Sequence, residues 1–133
     1  MSYQAISDAL HVRLATVSGI KIVMENEPTA VQDSPLIYSI LDGFDRDTVG
    51  TTAKTIWRTT HTLCIAYHNP EEAERLLRAF VDSITAAVAA DPRLDNTCRG
   101  ADIIGGEAGF VKIADVVYRS MDFTSEALEI SAY

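Results

Sequence analysis

The chain has 133 residues, of which 47% are hydrophobic and 23% are charged, and its formal net charge at pH 7 is −8. This length predicts one domain with a single core, and no apolar run reaches the about 20 residues that a membrane-spanning helix needs. The acidic excess argues against capture of nucleic-acid phosphates, because such binding requires clustered lysine and arginine side chains.

The N-terminal sequence and the cysteine content both favour a cytosolic protein. The first ten residues, MSYQAISDAL, lack the basic region and the apolar stretch of a secretory signal. Cys64 and Cys98 are the only cysteines in the sequence, which is too few for a disulfide framework. We expect two buried thiols, although the sequence alone leaves a bridge between them open.

The first third of the chain predicts one helix and two strands. Between Tyr3 and Ser18, apolar residues recur at steps that place them on one stripe of a helix: Ile6, Leu10, Leu14 and Val17. Gly19 is expected to cap the end of this helix. Residues 20–25 predict a strand with one clearly apolar face, and Pro35 to Leu41 predicts a second strand, with its proline tolerated at the start.

A polar stretch follows from Asp42 to Lys54, with the sequence DGFDRDTVGTTAK. It is rich in Gly, Asp and Thr and has no sustained apolar period, so we expect a long exposed loop that is a prime candidate for contacts. Its end resembles a phosphate-binding loop only superficially. Ala53 and Thr48 stand where that motif needs glycine, and a strand follows where it needs a helix. An ordinary turn is the better interpretation.

Thr55 to His68 predicts a strand much longer than the usual five or six residues. Alternation places Trp57, His61, Leu63, Ile65 and Tyr67 on one face, and Arg58, Thr60, Thr62, Cys64 and His68 on the other. Because both faces carry sizeable side chains, both are expected to meet protein.

The strongest local signal marks the start of a second helix. Asn69 is placed to cap the helix, Pro70 suits its first position, and the two glutamates that follow favour the positive end of the helix dipole. The apolar stripe that should lie on a sheet comprises Ala73, Leu76, Leu77, Phe80, Val81, Ile84 and Val88. On the solvent side, two ion pairs are expected, Glu71–Arg75 and Glu74–Arg78.

The rest of the sequence predicts strands at Cys98 to Ile104 and at Phe110 to Phe123, with the glycines of residues 105–109 at a hairpin tip. Leu128 to Ala132 is a candidate for a further short strand, which the element order below does not count. The element order is then α, β, β, β, α, β, β. This order predicts an α+β fold, with a largely antiparallel β-sheet, two amphipathic helices packed on one face and a long β-hairpin loop, in one domain spanning residues 1–133.

Three groups of side chains are candidates for chemistry, and each has a simpler structural explanation. Cys64 and His68 share a strand face but stand roughly 13 Å apart, too far for one metal ion. His61 lies among apolar neighbours, where a hydrogen-bonded core or interface histidine is the better expectation. The aspartates of residues 42–47 match a calcium loop poorly, so a solvated acidic loop is favoured. We expect no catalytic residue, no cofactor or metal site and no enzyme.

Several segments together resemble a known family. They are the helix that ends in SGIKIVMENEP, the extended PLIYSILDG, the helix NPEEAERLLRAFVDSITAAVAADPRL, and DNTCRGADIIGGE before a final long strand. In this order they are similar to the tail terminator and tail-completion (head-to-tail joining) proteins of long-tailed bacteriophages, over nearly the whole chain. The chain departs from that pattern at Asp95, where the family often has glycine.

The resemblance implies a virion structural protein that caps the tail tube and joins the tail to the head or neck, usually as a hexameric ring around the DNA channel. Its partners would be copies of itself, the tail-tube protein and neck or connector proteins. Double-stranded DNA would pass through the lumen without specific binding. Such a protein occupies the host cytoplasm during assembly and then the tail or neck of the virion.

Two alternatives stay open from the sequence. One is a neck or head-completion protein on the portal side, and the other is a small ligand-binding or enzymatic α+β domain that uses the DGFDRD segment of residues 42–47 with His61 or His68. For the structural role, the candidate subunit or tail-tube contacts are Asp42, Phe44, Asp45, Arg46, Asp47, Lys54, Arg58, Thr60 and Thr62.

Overall fold

The chain folds into two helices and one five-stranded sheet, in a computed structural model that describes residues 2–132. In chain order the elements are α1 (Tyr3–Ala15), β1 (Ile22–Met24), β2 (Leu36–Val49), β3 (Thr52–Ala66), α2 (Pro70–Ala89), β4 (Gly100–Ile113) and β5 (Val116–Ala132). The strand order is β1-β2-β3-β5-β4; β1 runs parallel to β2, and the other neighbours pair antiparallel. The predicted α+β class and element order are confirmed.

Both helices cover the same face of the sheet and bury one layer of apolar side chains there. The main cluster combines α1, α2 and the central strands: Leu14, Val17, Ile37, Leu63, Ile65, Ala73, Leu77, Phe80, Ile84 and Phe123. A second cluster continues the layer under the first turns of α1: Ile6, Leu10, Val88, Leu94, Cys98, Ala101 and Ala127. Each fully buried leucine or isoleucine in this layer contributes about 1.5–3 kcal/mol of hydrophobic free energy.

The start of α2 follows the prediction. Asn69 Oδ1 accepts a hydrogen bond from the backbone N–H of Glu72 at 3.3 Å, and Pro70 occupies the first turn. The buried residues of α2 all belong to the predicted stripe: Ala73, Leu77, Phe80, Ile84 and Val88. This local sequence therefore determines both where the helix begins and which side faces the sheet.

The predicted ion pairs on α2 are wrong. Arg75 pairs with Glu72, one turn away at i,i+3, and Glu74 accepts a hydrogen bond from Arg119 Nε of β5 at 2.6 Å. The side chain of Arg119 is mostly buried and its guanidinium also lies over the Phe110 ring, 4.7 Å from the ring centre. A partly buried guanidinium on the sheet is a better partner for Glu74 than an exposed arginine on the same helix.

The end of α1 also differs from the prediction. The helix ends at Ala15 with Thr16 as its cap, and the chain turns at Gly19 instead, where φ is +96°. A side chain at Gly19 would place its Cβ 3.2 Å from the Phe80 ring. Glycine is favoured there by both the backbone angle and the close approach of α2.

The C-terminal hairpin is longer and simpler than predicted. Residues 105–109, expected at a hairpin tip, lie inside β4, and the turn falls at Ala114 and Asp115, which both have positive φ. The candidate strand at Leu128 to Ala132 is part of β5, which runs without a break from Val116 to Ala132. The strand tolerates glycines at these positions because β4 is an edge strand with few packed neighbours.

The face of the sheet opposite the helices is covered at one end only. There, Val31 from the connection between β1 and β2 packs against Leu36, Tyr38, Cys64 and Tyr118. Farther along the same face, no helix or loop of residues 2–132 forms a comparable core cluster. This open part of the face lies beside the hairpin of β2 and β3.

Candidate subunit interface

The 42–54 region is a β-hairpin and not the predicted loop; we call it the arm. β2 continues through it to Val49, the chain reverses at Gly50 and Thr51, and β3 begins at Thr52. Gly50 has a φ of +60°, as the first central residue of a two-residue hairpin turn commonly does. The prediction failed because most side chains of the arm are exposed, so its sequence shows no apolar alternation.

A β-bulge marks the base of the arm. The register between β2 and β3 shifts between Leu41 and Gly43, which leaves Asp42 as the extra residue. Beyond the bulge, Phe44 stands opposite Trp57 and their ring centres lie 4.9 Å apart. This aromatic pair holds the base of the arm to the long central strand.

The arm carries an apolar tip and an outer edge without a strand partner. β1 pairs with β2 only as far as Tyr38, so from Asp42 to Val49 no strand within residues 2–132 lies beside the outer edge of β2. Phe44 is 54% exposed and Val49 is 74% exposed. Unpaired backbone groups beside exposed apolar side chains are a template for pairing with another chain.

The structure divides the predicted contact residues between the two faces of the sheet. Their pairing register places Phe44 and Arg46 on the face that the helices cover elsewhere. The opposite, open face carries most of the others: Asp45, Asp47, Lys54, Arg58, Thr60 and Thr62. Asp42 lies in the bulge between the two sets.

Several of these residues already have partners inside the subunit. Thr62 is buried and donates a hydrogen bond to Asp122 Oδ1 at 2.7 Å, so little of its side chain is exposed to another subunit. Asp45 accepts a hydrogen bond from the Arg58 guanidinium, and this bond together with the charge of Arg58 lowers the pKa of Asp45. The pair is exposed to solvent and screened, so it orders the two side chains more than it stabilises the fold.

A second apolar edge, on β4, was not predicted from the sequence. Ile104 and Phe110 of β4, and Val116 and Val117 at the start of β5, are all exposed. Ile104 is the extra residue of a second bulge, between Ile103 and Gly105. The sequence does contain a signal for this edge, the consecutive isoleucines at 103 and 104. Because neighbouring side chains of a strand point to opposite faces, one of the two was expected to be outside the core.

His61 lies in the core and bridges two serines. Its Nδ1 is 2.6 Å from Ser39 Oγ, its Nε2 is 2.8 Å from Ser125 Oγ, and the residue has no exposed surface. Burial, with a smaller effect from His11, lowers the pKa of His61 to about 4. The neutral ring therefore donates to one serine and accepts from the other. The prediction of a hydrogen-bonded core histidine is confirmed.

The two thiols are buried in different clusters and are both free. Cys64 packs on the side opposite the helices, and Cys98 packs beneath α1. Burial raises the pKa of Cys64 to about 12 and also raises the pKa of Cys98. His68 is exposed beyond the end of β3, so the structure does not join it to the buried Cys64.

One groove near the sheet is formed mainly by apolar side chains and glycines. This open groove, between α2 and β4, is lined by Val81, Thr85, Ile103, Ile104, Gly105, Gly106, Met121 and Phe123. None of these residues has an acidic or basic side chain, and Thr85 contributes a hydroxyl.

No protein-family model matches the sequence, and no curated protein matches it significantly. Within residues 2–132, neither helix is long and apolar enough to cross a bilayer.

Proposed function

We propose that this chain is a virion structural protein that forms a closed ring, caps the tail tube of a long-tailed bacteriophage and joins the tail to the neck. The observation that carries the proposal is the arm, a hairpin with an unpaired outer edge and an apolar tip at Val49 that is 74% exposed. An exposed strand edge next to an apolar tip is unfavourable in a monomer, because other chains can pair with it and aggregate. A partner that covers the arm explains why the sequence keeps both features.

A head-to-tail ring needs two different surfaces on each subunit, and the fold supplies two. The arm lies at the β2 side of the sheet, and the second apolar edge lies on β4 at the opposite side. We infer that the arm of one subunit contacts the β4 side of the next, so that rotation closes the ring.

The area that such a ring requires is available. A stable interface takes roughly 800 Å² from each partner, and a ring subunit has two neighbours. Two such patches amount to about a fifth of the 7332 Å² surface of the subunit. Both surfaces named here are outside the helix-covered core, so their burial would not require any rearrangement of the fold.

The same proposal assigns no reaction to the chain. Of the residues first considered for chemistry, His61 is bonded to two core serines and both thiols are buried. The net charge of −8 would repel DNA from the walls of a ring and let it pass through the lumen without being bound.

The experiment that tests this role is a tail-tube assembly assay. Tail-tube protein from the phage that encodes this chain would be polymerised with and without the purified chain, and tube lengths and tube ends would be imaged. A cap predicts shorter tubes with extra density at one end. Tubes of unchanged length with bare ends would contradict the proposed role and favour the alternative on the portal side of the neck.

A further inference from the structure

One set of side chains outside the arm converges as metal ligands do. Asp8 and His11 of α1 and Glu25, directly after β1, each offer one ligand atom, and these atoms lie within 4.8 Å of one another. Asp8 and His11 are three positions apart, so both side chains project from the same side of the helix. Among residues 2–132, this is the one group of three or more His, Cys, Asp or Glu side chains whose ligand atoms lie this close together.

The hydrogen bonds of His11 leave one ring nitrogen available for a cation. Its Nε2 lies 3.2 Å from the backbone carbonyl oxygen of Met24, and a carbonyl can only accept, so Nε2 carries the proton. In the neutral ring Nδ1 then bears a free lone pair. That atom is buried, has no hydrogen-bond partner, and lies 3.9 Å from Glu25 Oε1. Either a proton on Nδ1 or a metal ion between the two atoms would satisfy both acceptors, and the metal titration below distinguishes these two cases.

The surroundings of the three ligands match those of protein metal sites. A metal-binding histidine usually donates its other N–H to a carbonyl or carboxylate, which is what His11 does with Met24. Asp8 Oδ1 in turn accepts a hydrogen bond from Gln4 Nε2 at 2.8 Å, which orients that carboxylate. Asp8 and Glu25 are both exposed. Shifts of about 1 Å would bring their oxygens to the 2.0–2.2 Å distances of zinc coordination.

We propose that Asp8, His11 and Glu25 bind a divalent transition-metal ion of the Zn²⁺ class, with water completing the coordination. One imidazole with two carboxylates suits Zn²⁺ or Co²⁺ better than Mg²⁺ or Ca²⁺, which prefer sites made of oxygen ligands alone. The ion would tie α1 to the chain after β1. Glu25 also lines a groove with Ile40 and Leu41, at the base of the arm, so a bound ion would stiffen this end of the sheet. This inference does not depend on the ring.

The test uses the full-length, tag-free chain after treatment with a chelator. Zn²⁺ is titrated by calorimetry and by thermal unfolding, and Co²⁺ is titrated by its visible absorption, which reports the ligand geometry directly. We expect one ion per chain, a rise in Tm of several degrees at a hundredfold excess over Kd, and a Co²⁺ spectrum that Zn²⁺ abolishes. Mg²⁺ at the same concentrations should leave Tm unchanged.

Conservative variants decide whether the ion binds at these residues. Glu25→Gln changes an exposed side chain and should not disturb folding, and it should weaken Zn²⁺ binding at least about tenfold, as should His11→Gln. Glu27→Gln and His68→Gln, which change an exposed acid and an exposed histidine elsewhere, are the matched controls and should bind like the wild type. Absence of binding, or equal losses in the Glu25 and Glu27 variants, would overturn the proposal.

Discussion

Acid should destabilise this fold through His61, and the size of the effect follows from its burial. Its pKa is lowered to about 4 in the folded chain, against about 6.5 in an unfolded chain. Above about pH 6.5 the imidazole of His61 is neutral in both the folded and the unfolded chain, so it does not reduce the free energy of unfolding. As the pH falls from about 6.5 towards about 4, the free energy of unfolding declines, because His61 binds a proton in the unfolded chain but not in the folded chain. Between about pH 8 and about pH 5, this residue should lower the free energy of unfolding by about 2 kcal/mol.

The assay is urea unfolding across this pH range, with a variant that removes the titrating group and its partners together. In the triple variant Ser39→Ala, His61→Leu, Ser125→Ala, no hydroxyl is left unsatisfied in the core, so the protein should still fold. Its unfolding free energy should depend on pH less than that of the wild type by about 2 kcal/mol over the same range. His68→Gln, which changes an exposed histidine, should keep the wild-type dependence. If the triple variant and the wild type lose stability in parallel, the reasoning about His61 is wrong.

Two further predictions concern the core and the thiols. Ile84→Ala removes a fully buried side chain from the layer between α2 and the sheet. It should lower the free energy of unfolding, measured by chemical denaturation, by about 2–5 kcal/mol. The control Val12→Ala, at a position that is 64% exposed, should change this free energy by less than about 0.5 kcal/mol. Cys64 and Cys98 should react with a thiol reagent slowly in the folded chain and fully once it is unfolded, because burial raises the pKa of both thiols; rapid reaction of either thiol in native buffer would contradict their placement.

The sequence was informative wherever a segment has one buried face. In α2, the cap at Asn69 and the spacing of the apolar stripe from Ala73 to Val88 were enough to predict the start of the helix and its buried side. The reason is that each turn of a helix lying on a sheet has one side in the core and one in solvent. The two faces of the long strand β3 were also divided correctly, since Leu63 and Ile65 lie in the helix-covered core, whereas the opposite face is buried only near Thr62 and Cys64.

The arm and the C-terminal hairpin could not be predicted in the same way. In the arm, exposed side chains occupy most positions, so no apolar alternation marks the strands. In β4, the glycines of residues 105–109 have the composition of a turn, but pairing with β5 outweighs their low strand propensity. The bond between Glu74 and Arg119 joins residues that only the packed tertiary structure brings together.

The central claim is that the arm makes head-to-tail contacts that close a ring, and the mass of the particle in solution tests it most directly. Light scattering or single-particle mass measurement of the wild type should give a closed ring of several subunits, about six times the 14.5 kDa chain for a hexamer. Val49→Asp, at the exposed arm tip, should shift the protein to monomers, whereas Val12→Asp, at an equally exposed site on α1, should leave the ring intact. A wild type that stays monomeric at high concentration, or a ring that survives Val49→Asp and a deletion of the arm tip, would contradict the account.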